Sequence, residues 1–482
     1  MIKNFKLLVL VSLTFVACTN DEDTTGVEIP VTSGSANFSK YVALGDSFAA
    51  GYSDGALFKK GQENSYPNLL AQQFAAAGGG VFSSPFMAAD NVGGFSAGGA
   101  QVVSQRLYLE SSSGTPTPTL VPGVSANTLS ERLTGSFNNM GIPGAKSFHL
   151  TYSGYAGANP YFGRFASSAS ATVLGDAIAQ NPTFFSLWIG GNDELGYATN
   201  GGVPTSQDAV NGNDLTPTAT FTAVYNAMAA QLSTGGRKGV VANLPYVTAL
   251  PYFTAVPYNA VPLTDAVATQ LNSGYAQYNG GLALAQSYGL ITAAEKAKRT
   301  IVFAAGKNAV VMVDSYLTNL SALGLPSYRQ ATSADLLVLP SSSFIGTTVN
   351  GNAAQVNGVS VPLADKWVLS IDEIAEVKAA TDTYNTVIEA AATANGLAFV
   401  DAKSVMAQLS SPSGTGIVFD SYTMTSTYVT GGAFSLDGVH PSARGYALIT
   451  NLFIDAINAK YGSTLKKADG RDFGILYPKV IN

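Results

Sequence analysis

Tyr41-Val42-Ala43-Leu44-Gly45-Asp46-Ser47-Phe48-Ala49-Ala50-Gly51 is the stretch on which the fold turns. A short apolar run stops at Gly45-Asp46-Ser47, small residues follow, and Gly51 closes the segment. This pattern predicts a buried strand, a tight turn and a serine at the strand's C-terminal end. Open α/β sheets bind ligands at that edge. A serine there is exposed and rigidly backed, as a nucleophile must be.

The same pattern recurs along the chain. Thr183-Phe184-Phe185-Ser186-Leu187-Trp188-Ile189 is an apolar strand ending in Gly190-Gly191-Asn192-Asp193. Gly239–Pro245 and Leu397–Asp401 read as further strands. Helices alternate with them. One opens at Asn64-Ser65-Tyr66-Pro67, with a polar cap and an early proline, and ends at Gly78-Gly79-Gly80. Another starts at Ser370, whose spacing to Glu373 predicts a capping box, and ends at Gly396. Ser442 caps a third, with Tyr446, Ile449, Phe453 and Ile457 on one face. Strands alternating with helical segments predict an α/β fold with a parallel sheet.

Two further stretches carry chemistry. Asn139-Met140-Gly141-Ile142-Pro143-Gly144-Ala145-Lys146 contains glycines that allow close backbone approach, and Gly144 can present an open N–H. Asp437-Gly438-Val439-His440-Pro441 sets a carboxylate three residues before a histidine, just ahead of a helix. One short loop can thus offer Asp437 to one ring nitrogen of His440 and leave the other for Ser47. A weak hydroxyl needs a base, the base needs an orienting group, and acyl transfer needs donors at the developing oxyanion. The N–H groups of Ser47 and Gly144 and the amide of Asn192 are the candidate donors. The other histidine, His149, lies in an aromatic and apolar run with no acidic neighbour in sequence, and is read as structural.

Gly45-Asp46-Ser47, the Asn139 to Gly144 stretch, Gly191-Asn192-Asp193 and Asp437-Gly438-Val439-His440-Pro441 resemble, in order, the four blocks of SGNH (GDSL-type) hydrolases. The resemblance covers roughly residues 38–250 and 366–460. It implies a flavodoxin-like α/β/α sandwich with Ser47 as nucleophile, His440 as base and Asp437 as its orienter. Ser47, Gly144 and Asn192 would form the oxyanion hole. It implies an esterase or lipase working through an acyl-enzyme. Carbohydrate acetyl esterases belong to the same family, and a surface lipoprotein that binds glycans or lipids without catalysis is the rival from another class.

The N-terminus points to export. Lys3 and Lys6 precede an apolar run over residues 7–17 and then Cys18. The run is shorter than the roughly 20 residues that span a bilayer. Val16-Ala17-Cys18 resembles a bacterial lipobox, with Phe15 where Leu is usual, and Thr19-Asn20-Asp21-Glu22-Asp23 resembles the acidic tag of surface-exposed lipoproteins. The expectation is a signal peptide over 1–17, lipidation of Cys18, and a membrane-anchored protein at the outer membrane or cell surface. A linker over 18–37, a hydrolase domain over 38–462 and a tail over 463–482 complete the plan.

Composition excludes other classes. With 25 basic against 31 acidic residues, a nucleic-acid partner is not expected. A zinc hydrolase needs three protein ligands and an open position, but the chain has two histidines and no His-Glu-x-x-His, so no metal is expected. The glycines of 93–99 follow no predicted strand, and a P-loop is absent, so no cofactor is expected either. Two insertions, at about 81–135 and 251–365, lie outside the four blocks. Their Phe82, Phe86, Phe95, Tyr252, Phe253 and Tyr258 are expected to wall the site and favour a lipid-like ester.

Overall fold

The computed structural model describes residues 30–112, 114–205 and 212–481. At its centre are five parallel strands: β1 (Tyr41–Gly45), β2 (Asn139–Gly141), β3 (Phe184–Trp188), β4 (Lys238–Ala242) and β5 (Ala398–Val400). Their spatial order is β5-β4-β3-β1-β2. This is the doubly wound order 2-1-3-4-5, whose switch point lies between β1 and β3. The first and third strands are buried at every residue, which is why they read as unbroken apolar runs. The Tyr41 hydroxyl and Ser186 Oγ, 2.7 Å apart, satisfy each other between them.

Helices cover both faces. On one, α2 (Tyr66–Ala75) packs against the last helix, α9 (Ala443–Tyr461). On the other lie α3 (Val173–Ala179), α5 (Thr218–Leu232) and the long α7 (Ile371–Ala394). The expected start signals operate. Ser370 and Glu373 close a two-way capping box at the head of α7, and Ser442 Oγ accepts the Gly445 N–H at the head of α9. Between these layers, α1 (Ser47–Ala50), α4 (Asn192–Thr199) and α8 (Ala402–Leu409) each start just beyond a strand's C-terminal end.

The insertions are more ordered than their composition suggests. Residues 81–135 form two small hairpins, Phe95–Ala97 with Ala100–Val103 and Leu107–Glu110 with Thr117–Leu120. Buried Arg106 and Arg164 tie them down by donating to the carbonyls of Asn91, Pro478, Pro85 and Phe86. Residues 251–365 contain α6 (Asp265–Ser287), a 23-residue helix. Two short antiparallel strand pairs join it, Val261–Leu263 with Gly306–Asn308 and Val311–Val313 with Tyr328–Gln330. Val311–Val313 lies in the apolar run Ala309–Val313 but pairs outside the central sheet. The insertion packs with the core as part of one compact unit from Val31 onward.

Part of the expected linker is tied to the core, and the C-terminal tail is packed on it. Ser35 N–H donates to Tyr461 O, and Phe38 is buried. At the other end, Asn64 donates to the Tyr477 hydroxyl, and Tyr477 packs edge-on to Phe58. The expected signal peptide over 1–17, Cys18 and the first part of the expected linker lie outside the described residues. Among the described residues no helix is long and apolar enough to cross a membrane.

Candidate active site

Three loops that leave the C-terminal ends of β1, β2 and β3, and the loop just ahead of α9, meet at the switch point. The first is the Gly45-Asp46-Ser47 turn. A Cβ on Gly45 would lie 2.5 Å from Trp188 O, so only glycine lets β1 run this close to β3. Asp46 then accepts the Phe48 N–H at 2.9 Å and starts α1, a single turn closed by Gly51 at φ +86°. Ser47 is thereby held at a helix N-terminus. Burial pushes the Asp46 carboxyl up to about 6, against the pull of the Phe48 N–H and of His440.

The second loop carries Asp437 and His440, 390 residues further on. His440 Nε2 lies 2.9 Å from Ser47 Oγ, and its Nδ1 lies 2.8 Å from Asp437 Oδ2. Asp437 also accepts the backbone N–H groups of Val439, His440 and Gly55. Burial would raise its pKa, but His440 and these donors outweigh it and hold Asp437 down at about 2. An ionised Asp437 can only accept, so Nδ1 carries the hydrogen and Nε2 is left to accept from the Ser47 hydroxyl. The imidazole sits between the Phe48 and Tyr52 rings, at centroid distances of 5.6 and 4.6 Å.

The third loop brings Asn192 to the same cleft as Ser47, at the start of α4. Its amide donates to Ala145 O at 3.0 Å, which links it to the Gly144 loop. Next to it, buried Asp193 accepts both the N–H and the hydroxyl of Ser147 at 2.7 Å. This fixes the fourth loop against α4. Gly144 itself adopts φ +79°, with open space where a side chain would go. Gly144 is not among the residues that line the Ser47 cleft.

His149 takes no part in this array. It is buried, its Nδ1 accepts the Lys146 N–H at 3.0 Å, and its ring stacks on Tyr155 at 4.4 Å. The reading of His149 as structural agrees with these contacts.

Ser53-Asp54-Gly55 was not picked out from the sequence. Ser53 Oγ donates to Pro441 O, Asp54 N–H to Ser435 Oγ, Leu436 N–H to Asp54 Oδ1, and Gly55 N–H to Asp437. This turn clamps the His440 loop to the nucleophile's own strand unit. Its only local signal is an Asp-Gly pair, with Asp54 at φ +51°.

The expected aromatic wall is not there. Phe95 and Phe253 are fully buried, and Phe82 stacks on Tyr41 at 4.9 Å. These rings pack the insertions onto the core. The cleft in front of Ser47 is instead walled by Phe48, Trp188, Leu195, Leu244, Val247 and Leu250. It offers about 40 Å³ of free space. The apolar wall is real, but it comes from the strand ends. Among the described residues no group of three or more His, Cys, Asp and Glu is arranged to hold a metal ion.

No family model and no curated protein sequence matches the chain. Solved structures resemble it distantly. LAE5, an alpha/beta hydrolase from the metagenome of Lake Arreo, Spain, superposes with a TM-score of 0.35 at 10% identity, covering 88% of this chain and 96% of that one. A catalytic mutant of Axe2, an acetylxylan esterase from Geobacillus stearothermophilus, gives 0.33 at 10% identity over 90% and 98%. An extracellular lipase from Streptomyces rimosus gives 0.29 at 14% identity over 87% and 98%. At such TM-scores the likeness assigns the chain neither a family nor a substrate.

Proposed function

We propose that this protein is a serine carboxylester hydrolase of the SGNH (GDSL) type, attached to a membrane through lipidated Cys18. The reading rests on one observation above all: the unbroken chain from Ser47 Oγ through His440 to ionised Asp437, at 2.9 and 2.8 Å, opening on an apolar cleft. In this mechanism Ser47 Oγ attacks the ester carbonyl carbon as His440 Nε2 takes its proton. The Ser47 N–H and the Asn192 amide, both in the cleft, receive the charge on the carbonyl oxygen. Collapse of the adduct expels the alcohol, which leaves with the proton from His440. Water then attacks the acyl-serine, again losing a proton to His440, and the acid departs as Ser47 regains its hydrogen.

An uncharged acyl ester suits the apolar walls. A second reading, an acetyl esterase acting on sugars, is favoured by the narrowness of the cleft. Its 40 Å³ accommodates about three water-sized groups.

A fluorophosphonate probe tests the reading against a non-catalytic binding protein. Wild-type protein should label at Ser47, and Ser47→Ala should not. A folded wild-type protein that resists the probe overturns the proposal. For the anchor, Cys18→Ser should move the protein from membrane to soluble fractions, and a mature N-terminus downstream of Cys18 would refute lipidation.

A further inference from the structure

A second cavity adjoins the Ser47 cleft. The two share four wall residues, Phe48, Trp188, Pro245 and Leu250. The second cavity lies between α8 and α9, with Met406 and Leu409 on one side, Leu448 and Leu452 on the other, and Phe434 at one end. Every residue lining it is apolar or glycine. It offers about 60 Å³ of free space.

We infer that the two spaces are one acyl channel, divided in this conformation by the Phe48 side chain, and that the substrate is an ester of a straight-chain acid longer than the near cleft alone can hold. The inference rests on the assignment of Ser47 as nucleophile. Three observations carry it.

The first is chemical. With no polar group along its walls, the far chamber offers a sugar nothing to hydrogen-bond, whereas a hydrocarbon loses nothing on entering it. The second is size. The near cleft holds about 40 Å³ of free space and the far chamber about 60 Å³, so joining them more than doubles the room for an acyl chain.

The third is placement. Phe48 follows Ser47 directly, and its side chain lines both the near cleft and the far chamber. That ring is half-buried and lies edge-on to Trp188 at 5.2 Å. Phe95 and Phe253 of the insertions are buried and line neither chamber.

The direct test is the crystal structure of the wild-type protein after reaction with an octyl fluorophosphonate, in which an Oγ–P bond forms at Ser47 and fluoride leaves. The octyl tail should run past a rotated Phe48 between α8 and α9. A tail lying in solvent or against residues 251–365 overturns the channel while leaving the serine hydrolase intact. Failure to form the adduct overturns both.

Kinetics provide the second arm. kcat/KM on p-nitrophenyl esters should rise from acetate to octanoate, by about threefold per added methylene. Leu448→Trp fills the far chamber and should lower the octanoate-to-acetate ratio at least tenfold. Leu452→Phe should lower it less. An unchanged ratio in folded Leu448→Trp protein, or a wild-type rate that falls beyond butyrate, refutes the proposal. In the second case a sugar acetyl ester hydrolysed faster than any aryl ester marks the enzyme as a carbohydrate esterase.

Discussion

At the scale of single residues, the array around Ser47 makes distinct demands on each member. Ser47→Ala and His440→Ala should each abolish ester hydrolysis, because such groups act as a unit. Asp437→Asn should cost about 10⁴ in kcat, since an amide at this position no longer imposes the Nδ1–H tautomer. His149→Ala, by contrast, should keep most of the activity and lose some stability. Comparable loss in His149→Ala and His440→Ala would sink the choice of base. Asn192→Ala should lower kcat about 100-fold or more with a smaller change in KM, because its donor acts mainly on the transition state. A normal kcat in that variant would make Asn192 only the brace that holds Ala145.

At the scale of elements, the informative case is the insertion over 251–365. Arg329 is buried, with its guanidinium on Asp335 at 2.7 Å and on Asp314, and Lys298 reaches Asp314 at 3.3 Å. Burial alone would raise both carboxyls, but the guanidinium holds them below the ordinary range. Removing one partner of such a cluster leaves buried charge uncompensated. Arg329→Ala should therefore destabilise the protein by about 3–5 kcal/mol, read as a lower denaturant midpoint. A midpoint within error of wild type would mean that water reaches the carboxylates.

The same insertion shows how a helix escapes notice. Ala268, Leu271, Tyr275, Tyr278, Leu282 and Ala285 recur at alternating steps of three and four and form the inner face of α6. Gly274, Gly280 and Gly281, poor helix formers, obscured that spacing.

At the scale of the whole molecule, buried carboxyls set the response to pH. Burial raises Asp46 and Asp193 to about 6, and Asp54 and Glu373 to about 7. Each binds its proton more tightly folded than unfolded, where a carboxyl titrates at about 4. Their contribution is thus fully present below about pH 4 and is lost as the pH rises through 6 and 7. Asp437, held at about 2, has the opposite sign: its contribution is present above about 4 and is lost as the pH falls through 2. Together they predict a thermal midpoint that peaks near pH 4–5 and declines toward 7. Asp46→Asn keeps an acceptor for the Phe48 N–H and removes one of the titrating groups, so that decline should be shallower. A midpoint that rises from pH 4 to 7 contradicts the account.

What the sequence determined by itself follows from local physics. Apolar runs broken by Gly-Asp-Ser and Gly-Asn-Asp mark strand ends, because a strand buried on both faces must be apolar and its turn must use glycine. Ser370 with Glu373 marks a helix start, because a capping box is complete within four residues. Asp437 and His440 find each other across three residues of one loop.

What only the tertiary structure decided depends on groups far apart in the chain. The Ser53-Asp54-Gly55 clamp has no meaning until residues 435–441 fold against it. The burial of Phe95 and Phe253, which removes them from the cleft, depends on what packs above them. The space beside Ser47 is bounded by Leu244, Leu250, Met406 and Leu448, residues that read individually as core. A cavity is the volume that several elements leave unfilled, and no single segment of the chain encodes it.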